Sequence, residues 1–548
     1  MRKTNRKLFV LALLFALLMG IPFLVPHTGF LALAGLIPLL LMELVADAGK
    51  VKHFFLWHYL AFVMWNALTT FWVCNATLGG GVAAILLNAL QMSLIFALYR
   101  GSKKFLSTPL AYIFLAVTWI AWERIYMNVQ ISWPWLTLGN AFARSVDLVQ
   151  WYEYTGTLGG SLWIWLSNLW IFYILLLLFS GHVFEMKKIK TAVVIMVAAL
   201  LIGGPVAASY EASRNLDVRD GGRGTLEVTV VQPSFDPYQK FQHLSQSQQN
   251  AIFKDMAERS LAGRLCSESR PMLLMAPETF TNDIVIGREN ESPTWQSLCA
   301  LVSDKPGVNV LFGASSTEFS PPSPEAPSAL AVQLLDGRWY RSHNSALMLD
   351  RTGRTEIFHK SKLVVAVESL PYPKVFLPID EKLGGVMGRC EGQDEITLLN
   401  VNTYDSTGVA SRIPLGCAVC YESVYGDYCR DYVRKGAQAL AVITNDAWWG
   451  NTPGYHQHLS YASLRAIELR RDVARCANTG ISAIIDCRGH IVKSSEWWEP
   501  QVLQGSVGLY DGQTFFVRYG DLTGRMCCLC FLIMLAVIIV GRFTVRRG

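Results

Sequence analysis

Residues Leu415 to Asp431 read LGCAVCYESVYGDYCRD, with cysteines at Cys417, Cys420 and Cys429. Cys417 and Cys420 make a C-x-x-C. By itself that pattern fits a redox pair, half a metal site, a disulfide staple, or one nucleophile with bystanders. The surrounding run, RIPLGCAVCYE (412–422), reads as a β-strand, whereas a redox C-x-x-C opens a helix. Residues three apart on a strand face opposite sides and lie about 10 Å apart. That exceeds the roughly 7 Å reach of a disulfide. Cys417 is therefore read as a packing residue and Cys429 as part of the following helix. Cys420 is read as standing at the strand's end, where the chain turns and a thiol can face a cleft.

Working outward, the region from Leu226 to Gly524 alternates β-rich and helical runs. LEVTVVQ (226–232), MLLMAPE (272–278), VNVLFGASS (308–316), LAVQLLD (330–336), NSALMLD (344–350), ALAVITND (439–446) and ISAIIDCRG (481–489) are predicted strands. Helices are predicted over Ser247–Arg264, Ser292–Val302, Tyr428–Lys435 and Tyr455–Arg475. Such alternation predicts an α/β domain with helix-covered sheets. SPPSPEAPS (320–328) reads as an exposed loop.

The flanks differ. Over 548 residues, 52% are hydrophobic and only 16% charged, against about 25% charged in an ordinary soluble protein. Mean hydropathy is +0.29. The excess sits in seven apolar segments: Leu8–Val25, Phe30–Ala46, Phe54–Val73, Gly81–Tyr99, Pro109–Tyr126, Ser161–Ser180 and Thr191–Ala208. An eighth is Met526–Val540. Each approaches the ~20 apolar residues that a bilayer requires. MRKTNRK, DAGKVKH, YRGSKKF, GHVFEMKKIK and the tail GRFTVRRG are basic, whereas VPHTG and CNATLGGG carry no Lys or Arg. This alternation predicts about eight spans with both ends cytoplasmic and the central domain on the outer side. The first segment lacks a clear small-x-small cleavage site and reads as an anchor. The organisation expected is a bundle over 1–208 with an outer loop at 128–160, a linker at 209–225, a catalytic domain at 226–524, and a last helix and tail at 525–548. The net charge of +6 is too mild to indicate nucleic acid.

Three apolar runs in the central domain end in, or lie beside, residues that carry chemistry. MLLMAPETF presents Glu278, RTEIFHKSKLVVAVESLP presents Lys360 and Lys362, and LGCAVCYES presents Cys420. A carboxylate can activate a thiol, and an ammonium with a backbone N–H can stabilise an oxyanion. Spacing alone leaves each residue open to a plainer reading: solvated surface for the acid and the lysine, a small buried hydrophobe for the cysteine.

In that chain order, Glu278, Lys360 and Cys420 resemble the Glu-Lys-Cys triad of the nitrilase (carbon–nitrogen hydrolase) superfamily. APE, FHKSKLVVAVESLP, CYES and NDAWWGNTPGYHQHLSYASLRAIELRRDVARCANTGISAIID extend the likeness. With apolar segments on both sides, the chain resembles the bacterial apolipoprotein N-acyltransferases over nearly its full length; WPWLTLGNAFARSVDLVQWYEYTGTLGG (133–160) also resembles a family segment. The resemblance implies a membrane α-helical bundle carrying an α-β-β-α nitrilase-like sandwich. It selects Lys360 over Lys362, because the family lysine stands eight residues before a second glutamate, here Glu368. It also implies supporting roles for Glu368, Tyr421 and Glu422, and lipid-facing positions for Trp448, Trp449 and Phe241. Glu422 and Tyr421 read equally as a buried paired carboxylate and a packing aromatic, and the tryptophans as a self-packed surface loop. Departures are Ala276 where the family has tryptophan, Val367 for a glycine, and Phe241 or Tyr238 for a tryptophan.

The implied reaction has two halves. Cys420 takes an acyl chain from a phospholipid as a thioester. It then yields that chain to the N-terminal amine of a diacylglyceryl apolipoprotein. No metal, nucleotide or other cofactor is implied. His456 and His458, two apart on a predicted helix, are poor metal ligands, and Asn445-Asp446 reads as turn chemistry. The resemblance places the chain in a bacterial inner membrane as a monomer with its catalytic domain in the periplasm. Rival readings are a tethered amidase passing the acyl group to water and a transporter or sensor. The spans keep Glu43, Asp47 and Glu123 near their ends rather than at the midplane, which disfavours transport.

Overall fold

The computed structural model describes residues 2–180, 188–219, 222, 224–237, 240 and 244–545. Most of the basic connector (181–187), Tyr238, Phe241 and the last three residues of the tail lie outside these. The chain divides into two compact units: Met1–Asp217 with Asn451–Ser460 and Tyr519–Gly548, and Val218–Gly450 with Tyr461–Arg518. Asn451–Ser460, within the 226–524 expected for the central domain, groups with the first unit.

In the helical unit, six helices among the described residues are long and apolar enough to cross a bilayer: Arg2–Leu24, Gly29–Ala48, Leu78–Ser102, Thr157–Phe179, Lys188–Leu216 and Leu522–Arg542. The other two expected segments are also helices, Phe54–Thr70 and Thr108–Tyr126, of 17 and 19 residues. Large apolar side chains such as Ile195, Leu200, Leu532 and Val540 face outward. In water such exposure costs about 25 cal/mol per Å²; a hydrocarbon solvent removes that cost. Some polar side chains inside the unit pair with its backbone. The second helix breaks at Leu36, and Asn168 repairs the break: its Nδ2 donates to the Ala32 carbonyl at 2.8 Å and its Oδ1 accepts from Leu36 N–H at 2.8 Å. The connector expected at 209–225 is helical through Arg219, continuing the helix that starts at Lys188.

The second unit contains, in chain order, β1 (Thr225–Gln232), β2 (Met272–Met275), β3 (Thr281–Val285), β4 (Val308–Ser320), β5 (Val332–Gln333), β6 (Trp339–Asp350), β7 (Thr355–His359), β8 (Leu399–Tyr404), β9 (Ala410–Val419), β10 (Ala439–Thr444), β11 (Val473–Ala477), β12 (Ala483–Ile485), β13 (Ile491–Ser494) and β14 (Gln501–Gly508). One sheet runs β14-β1-β2-β4-β6-β5, with β3 on β4 and β7 on β6; the other runs β13-β12-β11-β10-β9-β8. Helices Gln246–Leu261 and Pro293–Val302 cover the first sheet, seating Phe253, Leu261, Leu298 and Val302 on Leu274, Val310 and Phe312. Helix Gly426–Arg434 lies on the second, where Tyr432 donates to the Cys417 carbonyl at 2.6 Å. The inner faces meet directly. The Cys476 thiol reaches the Val231 carbonyl at 3.4 Å, and Asn309 and Asn402 exchange side-chain-to-backbone bonds of 2.9 Å. Helix, sheet, sheet and helix therefore stack in four layers.

Several predicted elements shift, each for a local reason. MLLMAPE leaves its strand after Met275, because Pro277 cannot donate to a ladder. LAVQLLD keeps only Val332–Gln333 as strand. The helix predicted to Arg475 stops at Leu469, where Arg470 turns to a φ of 49°, and Val473–Ala477 becomes a central strand. β9 stops at Val419, because Cys420 takes a φ of 52°.

Glu278, Lys360, Cys420 and Asn445 follow β2, β7, β9 and β10. They stand at strand carboxyl ends, where α/β sheets bind their ligands. Gly313 on β4 lets the Glu278 turn approach. A Cβ there would lie 2.6 Å from the Glu278 Cα, the Pro277 oxygen and the Thr279 nitrogen. Gly313→Ala should therefore destabilise this unit by about 1–3 kcal/mol and displace Glu278. Denaturant unfolding of the detergent-solubilised protein checks the first effect and Cys420 acylation the second.

Candidate active site

Lys360 is 1% exposed. Its Nζ lies 3.0 Å from Glu278 Oε1 and 2.9 Å from Glu368 Oε1. The same two oxygens accept from Asn344 Nδ2 at 2.8 and 2.7 Å. The remaining carboxylate oxygens take backbone donors: Asn445 N–H to Glu278 Oε2 at 3.0 Å and Val364 N–H to Glu368 Oε2 at 2.7 Å. Burial alone would pull the Lys360 ammonium down. The charges of Glu278, Glu368 and Cys420 outweigh that, and its pKa stands well above the ordinary lysine value.

Cys420 opens the short turn Cys420–Val424 and is buried. Burial, then the Glu278 charge, push its thiol well up, while Lys360 pulls it down. The balance of these effects favours the neutral thiol over the thiolate at Cys420. Glu422, wholly buried, clamps this turn to the lysine segment. Its Oε1 accepts from Ser361 N–H at 2.7 Å and Lys362 N–H at 3.1 Å, and its Oε2 from Val419 N–H at 2.8 Å. Burial raises its carboxyl to about 7 against these hydrogen bonds. Non-glycine residues take positive φ beside each participant: Thr279 at 47°, Ala366 at 66° and Cys420 at 52°. Each such conformation costs about 1–3 kcal/mol and collects where geometry matters more than stability.

The structure brings Glu278, Lys360, Glu368 and the Cys420 charge environment together, with Glu422 behind them. Tyr421 is half-buried, its ring edge-on to Tyr425 at 5.2 Å. Trp448 is exposed and Trp449 half-buried, both in the turn Asp446–Trp449 that follows β10. Phe241 lies outside the described residues. Lys362 turns away, its Nζ 5.3 Å above the Tyr425 ring. Cys417 and Cys429 are buried and free. Sequence reasoning missed Asn344, which with Lys360 donates to both acids. The polar stretch RSHNS (341–345), buried from His343 onward in β6, was the available signal. It also read Asn445-Asp446 as turn chemistry alone. Asn445 instead holds Glu278, and Asp446 pairs with buried Arg475 at 2.6 Å.

A carbon–nitrogen hydrolase model matches residues 274–514, and a model of the apolipoprotein N-acyltransferase N-terminal domain matches residues 15–170. The class is thus a nitrilase-type domain joined to an apolar helical unit. An apolipoprotein N-acyltransferase from Chlorobaculum tepidum is 29% identical over 530 residues, 95% of this chain and 94% of that protein. One from Geobacter metallireducens is 28% identical over 535 residues, covering 95% and 93%. The chain is thus similar to apolipoprotein N-acyltransferases in both of its matched domains and over nearly its full length.

Two outcomes test this geometry. Lys360→Met leaves the buried Glu278 and the half-buried Glu368 without their cation. It should cost about 3–5 kcal/mol in chemical denaturation, the range for one lost partner of a buried ion pair. Glu422 tests the electrostatics. Its folded carboxyl is raised from 4.5 to about 7, so the folded state keeps a proton that the unfolded state has released. Its contribution to stability is full below the unfolded value and is lost as pH climbs toward 7. Glu422→Gln should flatten that part of the stability–pH curve; an unchanged slope between pH 4.5 and 7 would refute the assignment.

Proposed function

We propose that this chain is an N-acyltransferase. It moves an acyl chain from a membrane phospholipid to the free N-terminal amine of a diacylglyceryl-cysteine apolipoprotein, through a thioester on Cys420. The observation that carries the chemistry is the buried Lys360 ammonium, held between Glu278 and Glu368 and close enough to act electrostatically on the Cys420 thiol. Glu278 takes the thiol proton, and the thiolate attacks the ester carbonyl. Lys360 and backbone N–H groups at the Cys420 turn meet the oxyanion. Collapse expels lysophospholipid, whose leaving oxygen takes the proton back from Glu278, and leaves the thioester beside a Glu278 that is again ionised. Glu278 then accepts a proton from the incoming amine, which attacks the thioester and frees the thiol.

Glu368 and Glu422 act by position: the first orients Lys360, and the second ties the lysine segment to the cysteine turn. Tyr421, Trp448, Trp449 and Phe241 are assigned to the acyl-chain surroundings, which their aromatic character and the place of the first three beyond strand ends support. The outward apolar side chains of the helical unit support a membrane setting. With the two shorter helices counted, the reading is eight spans, a monomer in a bacterial inner membrane, and a catalytic domain facing the periplasm. The alternation of basic and uncharged connectors supports that orientation. Both substrates are lipid-anchored, and confining enzyme and substrates to one bilayer raises their encounter and restricts their orientation.

The test uses purified protein and phospholipid with a labelled acyl chain. Label should collect on Cys420 as a hydroxylamine-sensitive thioester and pass to the amine of a diacylglyceryl peptide. Cys420→Ser should lose at least a thousandfold in transfer while remaining folded. Label released only as free fatty acid would instead identify a hydrolase.

A further inference from the structure

The end of β10 serves the site through three successive residues. Val419 of β9 pairs with Ile443 of β10 in parallel register, so the next residues, Cys420 and Thr444, emerge side by side. The Thr444 side chain hydrogen-bonds Cys420. Asn445 N–H holds Glu278 at 3.0 Å. Asp446 Oδ1 accepts from Thr444 Oγ1 at 2.8 Å, while its Oδ2 is held by Arg475 at 2.6 Å. Thr444, Asp446 and Arg475 are all fully buried.

We propose that Thr444 is a further catalytic residue, a hydroxyl that changes its acceptor when the nucleophile ionises. This rests on Cys420 being the nucleophile. Thr444 has one hydroxyl proton. In the resting state that proton points to Asp446, and the hydroxyl oxygen receives the Cys420 S–H. When Glu278 takes the thiol proton, the sulfur becomes an anion and can only accept. The Thr444 hydroxyl then turns and donates to the sulfur. Asp446 loses one neutral donor but keeps the Arg475 guanidinium, so its charge stays paired throughout. The transferred proton ends on Glu278, Thr444 retains its own, and no bond to carbon changes in this step. The ion pair thus supplies a fixed acceptor that aims the hydroxyl before ionisation and can release it afterwards. A hydrogen bond to a charged group in such a site accounts for about a tenfold to hundredfold change in rate.

The experiment compares wild type, Thr444→Val and Thr444→Ser, each purified in detergent with its melting temperature recorded. Two rates are read at one pH: iodoacetamide alkylation of Cys420, located by mass spectrometry, and single-turnover thioester formation from labelled phospholipid. T444V should slow both about tenfold to a hundredfold, and T444S should stay within about threefold of wild type. Should T444V unfold, T444A takes its place against T444S. Wild-type rates in T444V, or a T444S as slow as T444V, would overturn the role of Thr444. A wild-type protein whose Cys420 neither alkylates nor acylates would overturn the nucleophile itself, a result separate from either of those.

Discussion

One ammonium shared by two carboxylates holds the catalytic unit to its geometry. Lys360, Glu278 and Glu368 come from three segments, and the lysine and Glu278 are buried. Removing such charges from water costs several kcal/mol per ion, which their mutual attraction offsets only when the geometry is close. The contacts of 2.9 and 3.0 Å meet that condition. Asn344 supplies an N–H to each carboxylate, and backbone donors satisfy the outer oxygens. None of the three charges is sustainable alone, so the segments have to arrive together.

This constraint explains features that look costly in isolation. Thr279, Ala366 and Cys420 adopt left-handed backbone because the chain turns sharply to deliver each group. Gly313 has no side chain because the Glu278 turn occupies that space. Glu422 is kept in an apolar setting because its two oxygens tie the lysine segment to the cysteine turn. The two-sheet sandwich supplies the rigidity against which these costs are offset. The same electrostatics fix the order of events at sulfur. Cys420 rests protonated because burial and Glu278 oppose the anion, and the nearby Lys360 charge opposes that tendency.

Much of this was legible in the sequence because of periodicity. Apolar runs made Glu278, Lys360 and Cys420 candidates and resemblance singled them out, while strand spacing separated Cys417 from Cys420. Runs of about 20 apolar residues marked the helical unit. The choice of Lys360 over Lys362 came from resemblance, since two lysines two apart look alike in one dimension. The structure separates them: Lys360 turns into the carboxylates and Lys362 lies over Tyr425. Where local readings failed, a backbone event intervened. Arg470 ended a helix that the apolar pattern would have continued, and Asn451–Ser460 joined the helical unit although it lies between strands of the other.

By itself, the sequence determined which residue types were available, where strands and apolar helices lie, and which cysteine stands at a strand end. These depend on side chains near one another in the chain. Only the tertiary structure decided that Asn344 joins both acids, that Asn445, 167 residues from Glu278, donates to it, and that Glu422 clamps two turns. The physical reason is that a hydrogen bond requires about 3 Å and a direction. Sheet register, rather than sequence spacing, sets both.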